Sequence, residues 1–140
     1  KYLNLSSTGL GTAGASALAA TLSRGALPRL EMLNIGNNQL GDEGLATLAG
    51  PLRQRPVFRR LNLESNNIGD AGLSALLDNL GTEELKQLDS LLLRNNQITD
   101  AGCATLTAAI QGGSLPALRL HYLGYEMHPT HGNPASAEAR

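Results

Sequence analysis

Apolar residues recur along this chain at a fixed long period. Leu33, Ile35, Asn38, Leu40, Gly44, Leu48 and Leu52 reappear as Leu61, Leu63, Asn66, Ile68, Gly72, Leu76 and Leu80. They return as Leu91, Leu93, Asn96, Ile98, Gly102, Leu106 and Ile110. Upstream, Leu3, Leu5, Thr8, Leu10, Gly14, Leu18 and Leu22 keep the spacing, with threonine in the asparagine position. The steps from Leu3 to Leu33, Leu61 and Leu91 are 30, 28 and 30 residues. A unit of this length cannot bury its apolar face alone, so the period predicts a stacked array.

Two shorter periods sit inside each unit. Alternation puts Leu33 and Ile35 on one strand face and Asn34 and Gly36 on the other, the first core and the second solvent. Leu40 then turns the chain. Gly44, Leu48 and Leu52 follow every four residues, a helical stripe that faces the sheet. A helix crossover between parallel strands completes the unit. Asp42, Asp70 and Asp100 stand where helices begin, so each is expected to accept from the free backbone donors there. Glycine at 44 predicts a close helix–strand approach. Gly50-Pro51 predicts that the second helix kinks or stops near Ala49, because an internal proline costs about 3 kcal/mol.

The pattern L-x-x-L-x-L-x-x-N-x-L followed by a helix resembles the leucine-rich repeat. The helix starts GDEG at 41–44, GDAG at 69–72 and TDAG at 99–102 make it similar to the ribonuclease-inhibitor-like subfamily. That group includes ribonuclease inhibitor, Ran GTPase-activating proteins and the sensor arrays of nucleotide-binding immune receptors. The resemblance implies an α/β leucine-rich repeat solenoid of about five repeats of 28–30 residues. It places a parallel sheet on the concave face and helices on the convex one. It also implies a non-catalytic module that binds a protein partner. Two alternatives stay open: a GTPase-activating regulator of the Ran type, or the targeting arm of a larger enzyme or immune receptor.

The repeat domain is expected over residues 1–128, as the C-terminal part of a longer array, because nothing precedes Leu3, Leu5 and Leu10 to cover them. In a decaying fifth repeat His121 stands for leucine and Glu126 for asparagine. Residues 129–140 have no apolar residue larger than alanine or proline, so a disordered or loosely packed tail is expected. A net charge of −1 gives no bulk field toward nucleic acid. No apolar run approaches the ~20 residues of a membrane helix. The single Cys103 excludes an internal disulfide framework, and with no cysteine-rich cap an intracellular, cytoplasmic location is expected.

Candidate chemistry is sparse. His121, His128, His131 and Glu126 are not held at fixed geometry, so no metal site is expected. No phosphate-cradling loop, serine elbow or paired carboxylates are present, so no catalysis and no cofactor are expected. Asn38, Asn66 and Asn96 form a column read as structural, since an unpaired buried polar group costs ~1–3 kcal/mol. Lys1, Glu31, Arg59, Asp89 and Arg119 alternate in sign at one repeat position, as a register-setting column. Arg53, Arg55, Arg59 and Arg60 are expected to be neutralised by Glu31, Glu83, Glu84 and Asp89.

The concave face remains as the binding site. Its expected solvent-facing positions include Gly36 and Ser90, and an Asn4–Asn34–Asn62 column that turns apolar at Leu92. Its expected partner-binding residues are Met32, Arg60, Glu64, Leu92, Arg94, Leu120, Tyr122 and Tyr125, with Glu64 and Arg94 paired. Five strands ~4.8 Å apart and about 17 Å tall give roughly 320 Å² in projection. A standard interface needs ~800 Å² per partner, so loops at Asn37, Asn67 and Tyr125 are expected to contribute.

Overall fold

The computed structural model describes residues 1–118. The fifth repeat, with Leu120, Tyr122 and Tyr125, and the segment 129–140 lie outside the described residues. The described part alternates strand and helix: β1 (Tyr2–Asn4), α1 (Gly11–Ser23), β2 (Met32–Asn34), α2 (Gly41–Arg53), β3 (Arg60–Asn62), α3 (Asp70–Leu77), β4 (Ser90–Leu92) and α4 (Asp100–Gln111). The strands form one sheet in chain order, every pair parallel. A parallel neighbour needs a crossover, and each helix supplies one. This is the α/β solenoid that the period predicts.

Register follows the repeat. Leu3, Leu33, Leu61 and Leu91 stand side by side, flanked by the rows Tyr2–Met32–Arg60–Ser90 and Asn4–Asn34–Asn62–Leu92. Leu33, Leu61 and Leu91 of that row and the next inward row, Ile35, Leu63 and Leu93, are buried with Leu45, Leu48, Leu52, Leu73, Leu76 and Leu106 from the helices in one core. In the first repeat Leu3, Leu5, Leu10 and Leu18 are only partly buried, because no further repeat stands against β1 among the described residues.

The asparagines knit one repeat to the one before it. Asn38, Asn66 and Asn96 are 1%, 0% and 3% exposed. Asn66 Oδ1 accepts from the amides of Asn38 (2.9 Å) and Leu40 (3.3 Å), and its Nδ2 donates to the Ile35 carbonyl (2.8 Å). Asn96 does the same to Asn66, Ile68 and Leu63, and Asn38 to Thr8, Leu10 and Leu5. Thr8 closes the series locally, its hydroxyl donating to its own Leu5 carbonyl (2.7 Å).

Asp42 and Asp70 serve the following repeat, which corrects the expectation that these two cap their own helices; the repeat after Asp100 lies outside the described residues. Asp42 Oδ1 accepts from the amides of Gly69 (2.6 Å) and Gly72 (2.9 Å), at the start of α3. Asp70 accepts from the amide of Thr99 (2.9 Å) and from its hydroxyl, at the start of α4. The stacking offset brings each carboxylate to the next helix. The glycines at 72 and 102 have a matching cause. A Cβ on Gly72 would stand 2.6 Å from Asp42 Oδ1, and one on Gly102 would collide with Asp70 Oδ1. They make room for the preceding carboxylate rather than for a strand.

A second correction concerns Pro51. Helix α2 does not stop at Ala49 but runs to Arg53 with Pro51 inside it. Proline removes one hydrogen bond, and here it falls near the C-terminal end of the helix. Buried Leu45, Leu48, Ala49 and Leu52 hold that helix on the sheet, and tertiary packing outweighs the local loss. The short helix is α3, with 8 residues against 13 in α1 and α2. Arg53 closes its end, donating to the carbonyls of Ala75 (3.3 Å) and Asn79 (3.0 Å).

Candidate functional site

The concave sheet face carries the candidate residues, and its surface is set by what backbone amides take from it. Asn4, Asn34 and Asn62 occupy one row. Each Oδ1 accepts from the amide two residues on: Ser6 (3.0 Å), Gly36 (3.0 Å) and Glu64 (2.9 Å). Asn4 Oδ1 also accepts from the Ser6 hydroxyl (2.8 Å). Only an oxygen can accept from an amide N–H, so these bonds fix which way each side-chain amide faces.

Around this row lies a shallow depression of about 350 Å³, whose lining includes Tyr2, Met32, Asn34, Arg60, Asn62 and Leu92. Met32 and Leu92 are half-buried, and Tyr2 is 58% exposed. Arg60 is exposed, with its Nε 3.6 Å from Asp89 Oδ1. Met32, Arg60 and Leu92 thus come together in one seat. Glu64 and Arg94 stand farther along β3 and β4 and are half-buried. Two positions expected to face solvent do not: Ser90 is 7% exposed, and Gly36 is buried beside the side-chain oxygens of Asn34 and Asn62. Leu120, Tyr122 and Tyr125 lie outside the described residues.

The alternating charge column lies beside the face. The α-ammonium of Lys1 is 3.2 Å from Glu31, and Arg59 is 4.0 Å from Glu31 and 2.9 Å from Asp89. Three arginines of the cluster lie beside carboxylates, Arg53 at Glu84 and Arg59 and Arg60 at Asp89, while Glu83, expected to serve the cluster, pairs with Lys86 instead. Arg53 pairs with Glu84 at 2.8 Å, and Arg55 donates to the Leu22 carbonyl at the end of α1. The amide of Gly81, then Arg53, holds the Glu84 carboxyl below its ordinary range, with a smaller contribution from Gln54.

Among the described residues no group of three or more histidine, cysteine, aspartate or glutamate side chains is placed to hold a metal ion, and no helix is long and apolar enough to cross a membrane. Cys103, the single cysteine, is half-buried on α4.

The donor-fixed asparagines were not legible as such, because the column shows in the sequence but the bond to the amide two residues on does not. No curated protein matches the chain. A family model described as Leucine Rich repeat matches residues 1–19, 28–49, 56–77 and 87–106, one match for each strand–helix unit of the described structure. With that match over more than half its length and the parallel sheet and asparagine ladder behind it, the chain belongs to the leucine-rich repeat family.

Proposed function

We propose that this chain is a non-catalytic protein-binding module of the ribonuclease-inhibitor-like kind, and that its partner sits on the concave face and the loops after the strands. Leucine-rich repeats are generally protein–protein interaction modules, and solenoids use their extended concave surfaces in this way. The observation that carries the reading is the seat formed by Met32, Arg60 and Leu92 on one rigid sheet. Apolar groups and an arginine presented together are typical interface anchors. Subfamily membership is supported by the 28–30-residue spacing and by a full α-helix in three of the four repeats.

The test places a photo-crosslinking amino acid at Met32 or Leu92 on the concave face, and at Thr47 or Ala104 on the convex face. Both convex positions are exposed. A specific protein adduct from the concave positions alone supports the reading. Adducts only from the convex positions overturn it.

A further inference from the structure

The amide row on the concave face has a directional chemistry. In Asn4, Asn34 and Asn62 the oxygen is already engaged by the chain's own backbone. The Nδ2 groups of the three donate to no protein acceptor among the described residues. An amide in this state has both N–H donors open, while its oxygen keeps one lone pair at Asn34 and Asn62 and neither at Asn4, so donors outnumber acceptors on the row. Strand register sets the three in line, ~4.8 Å apart. Arg60, next to Asn62, adds a guanidinium that is donor-only.

We propose that this donor row selects an acidic helix of a protein partner, with carboxylates three or four residues apart along one face and an apolar residue seated between Met32 and Leu92. This rests on the concave-face reading above and gives that face its partner chemistry. Spacing favours a helix. Carboxylates at i and i+3 or i+4 stand ≈ 5–6 Å apart, close to the ~4.8 Å between neighbouring amides. Same-side groups on an extended strand recur at about 6.7 Å, which falls out of step within two amides. Charge-assisted bonds from amide to carboxylate are stronger than neutral ones, so carboxylates outrank amide oxygens as occupants. A nucleic-acid phosphate chain is also an acceptor row, but it carries no apolar side chain to seat between Met32 and Leu92.

The experiment uses the full chain with three synthetic helical peptides that share an apolar anchor and differ only at three positions on one face, carrying Glu, Gln or Lys there. Binding is followed by side-chain amide and backbone NMR shifts. The decisive variant is N34D/N62D. Aspartate retains an oxygen for the Gly36 and Glu64 amides, so the local turn survives while the outward donor becomes an acceptor. Expected results are preference in the order Glu, Gln, Lys, shifts centred on the Asn34 and Asn62 side-chain amides, and about tenfold or more weaker Glu-peptide binding in N34D/N62D. Melting should be unchanged in the variant. Equal binding of all three peptides on the concave face overturns the donor-row proposal and leaves the concave-face reading standing. Shifts confined to the convex helices overturn both. Binding of an RNA oligonucleotide in preference to the Glu peptide, abolished by N34D/N62D, also overturns the proposal.

Discussion

Gly41-Asp42 and Gly69-Asp70 are the same dipeptide at the same place in successive repeats, yet their backbones differ. Gly41 is left-handed, with φ +65, and its amide donates to the Asn66 carbonyl (2.8 Å). Gly69 is extended, with φ −107, and its amide donates to the Asp42 carboxylate (2.6 Å). The first repeat behaves like the second: Gly11 has φ +59 and donates to the Asn38 carbonyl. The fourth behaves like the third, with Thr99 extended and bonded to Asp70. Two things differ: the residue before the turn, Leu10 and Leu40 against β-branched Ile68 and Ile98, and the residue one repeat earlier. Thr12 precedes Gly41, whereas Asp42 precedes Gly69 and Asp70 precedes Thr99. The amides of Gly11 and Gly41 meet a neutral carbonyl ahead, and those of Gly69 and Thr99 a carboxylate behind. The charge-assisted bond is the stronger of the two. The Gly-Asp dipeptide therefore does not determine its own geometry here; the neighbouring repeat contributes to it.

The comparison between early and late repeats can be tested in order of expected effect. Leu63→Ala, in the third repeat and 0% exposed, is expected to lower stability by about 2–5 kcal/mol, whereas Leu5→Ala at the equivalent, partly buried site of the first repeat should lose less than half as much. Urea unfolding measures both, and equal losses would mean that the first repeat is as well packed as the third. Asn66→Ala should cost roughly 1–3 kcal/mol by leaving buried backbone groups unpaired. Thr8→Ala should cost less than Asn66→Ala, because its hydroxyl bonds to its own repeat. Wild-type-like melting of the Asn66 variant would remove the ladder as a source of stability.

Asp42→Ala is a smaller change, expected at ~1 kcal/mol as a lost helix cap, with Thr12→Ala near zero. The sharper form is a double-mutant cycle. Gly41→Ala should cost about 1 kcal/mol through its left-handed backbone, and less when Thr12→Asp is already present. Strict additivity of the two substitutions would break the account given above.

The smallest effect concerns pH. Glu84 has its pKa lowered from the ordinary value of 4.5, first by the Gly81 amide and then by Arg53. A depressed carboxyl stabilises the fold fully above its unfolded pKa and loses that contribution as pH falls through the folded one. Glu84→Gln should therefore cost stability near neutral pH and make the acid limb of the stability curve shallower. Parallel curves for wild type and variant below about pH 4.3 would refute this.

The repeat length, the parallel order, the inward leucines and the carboxylates beside Arg53, Arg59 and Arg60 were legible, because each follows from spacing or from charge at equivalent positions; Glu83 was not, since it pairs with Lys86. The direction of Asp42 was not. Its distance along the chain to α2 and its distance in space to α3 are set by different things, and only stacking gives the second. Pro51 misled for a related reason: a helix propensity was weighed without the four buried side chains that hold α2 down. At the candidate site, Met32, Arg60 and Leu92 were legible as one surface from alternation alone. Ser90 was not, since nothing in its residue type or position marked it as covered.

The backward-reaching asparagine and the forward-reaching aspartate give each repeat a memory of its neighbours. Removing residues 33–60 would join Met32 to Leu61 and bring Asn66 into the place of Asn38, with the ladder carbonyls of the first repeat at the same offset. The helix at Gly69 would then follow Thr12 instead of Asp42. Its glycine should turn left-handed although its own sequence is untouched, a shift that backbone chemical shifts at position 69 would register. An array built this way can gain or lose whole units without a broken bond at the seam, and each unit left behind takes its shape from whichever neighbour it acquires.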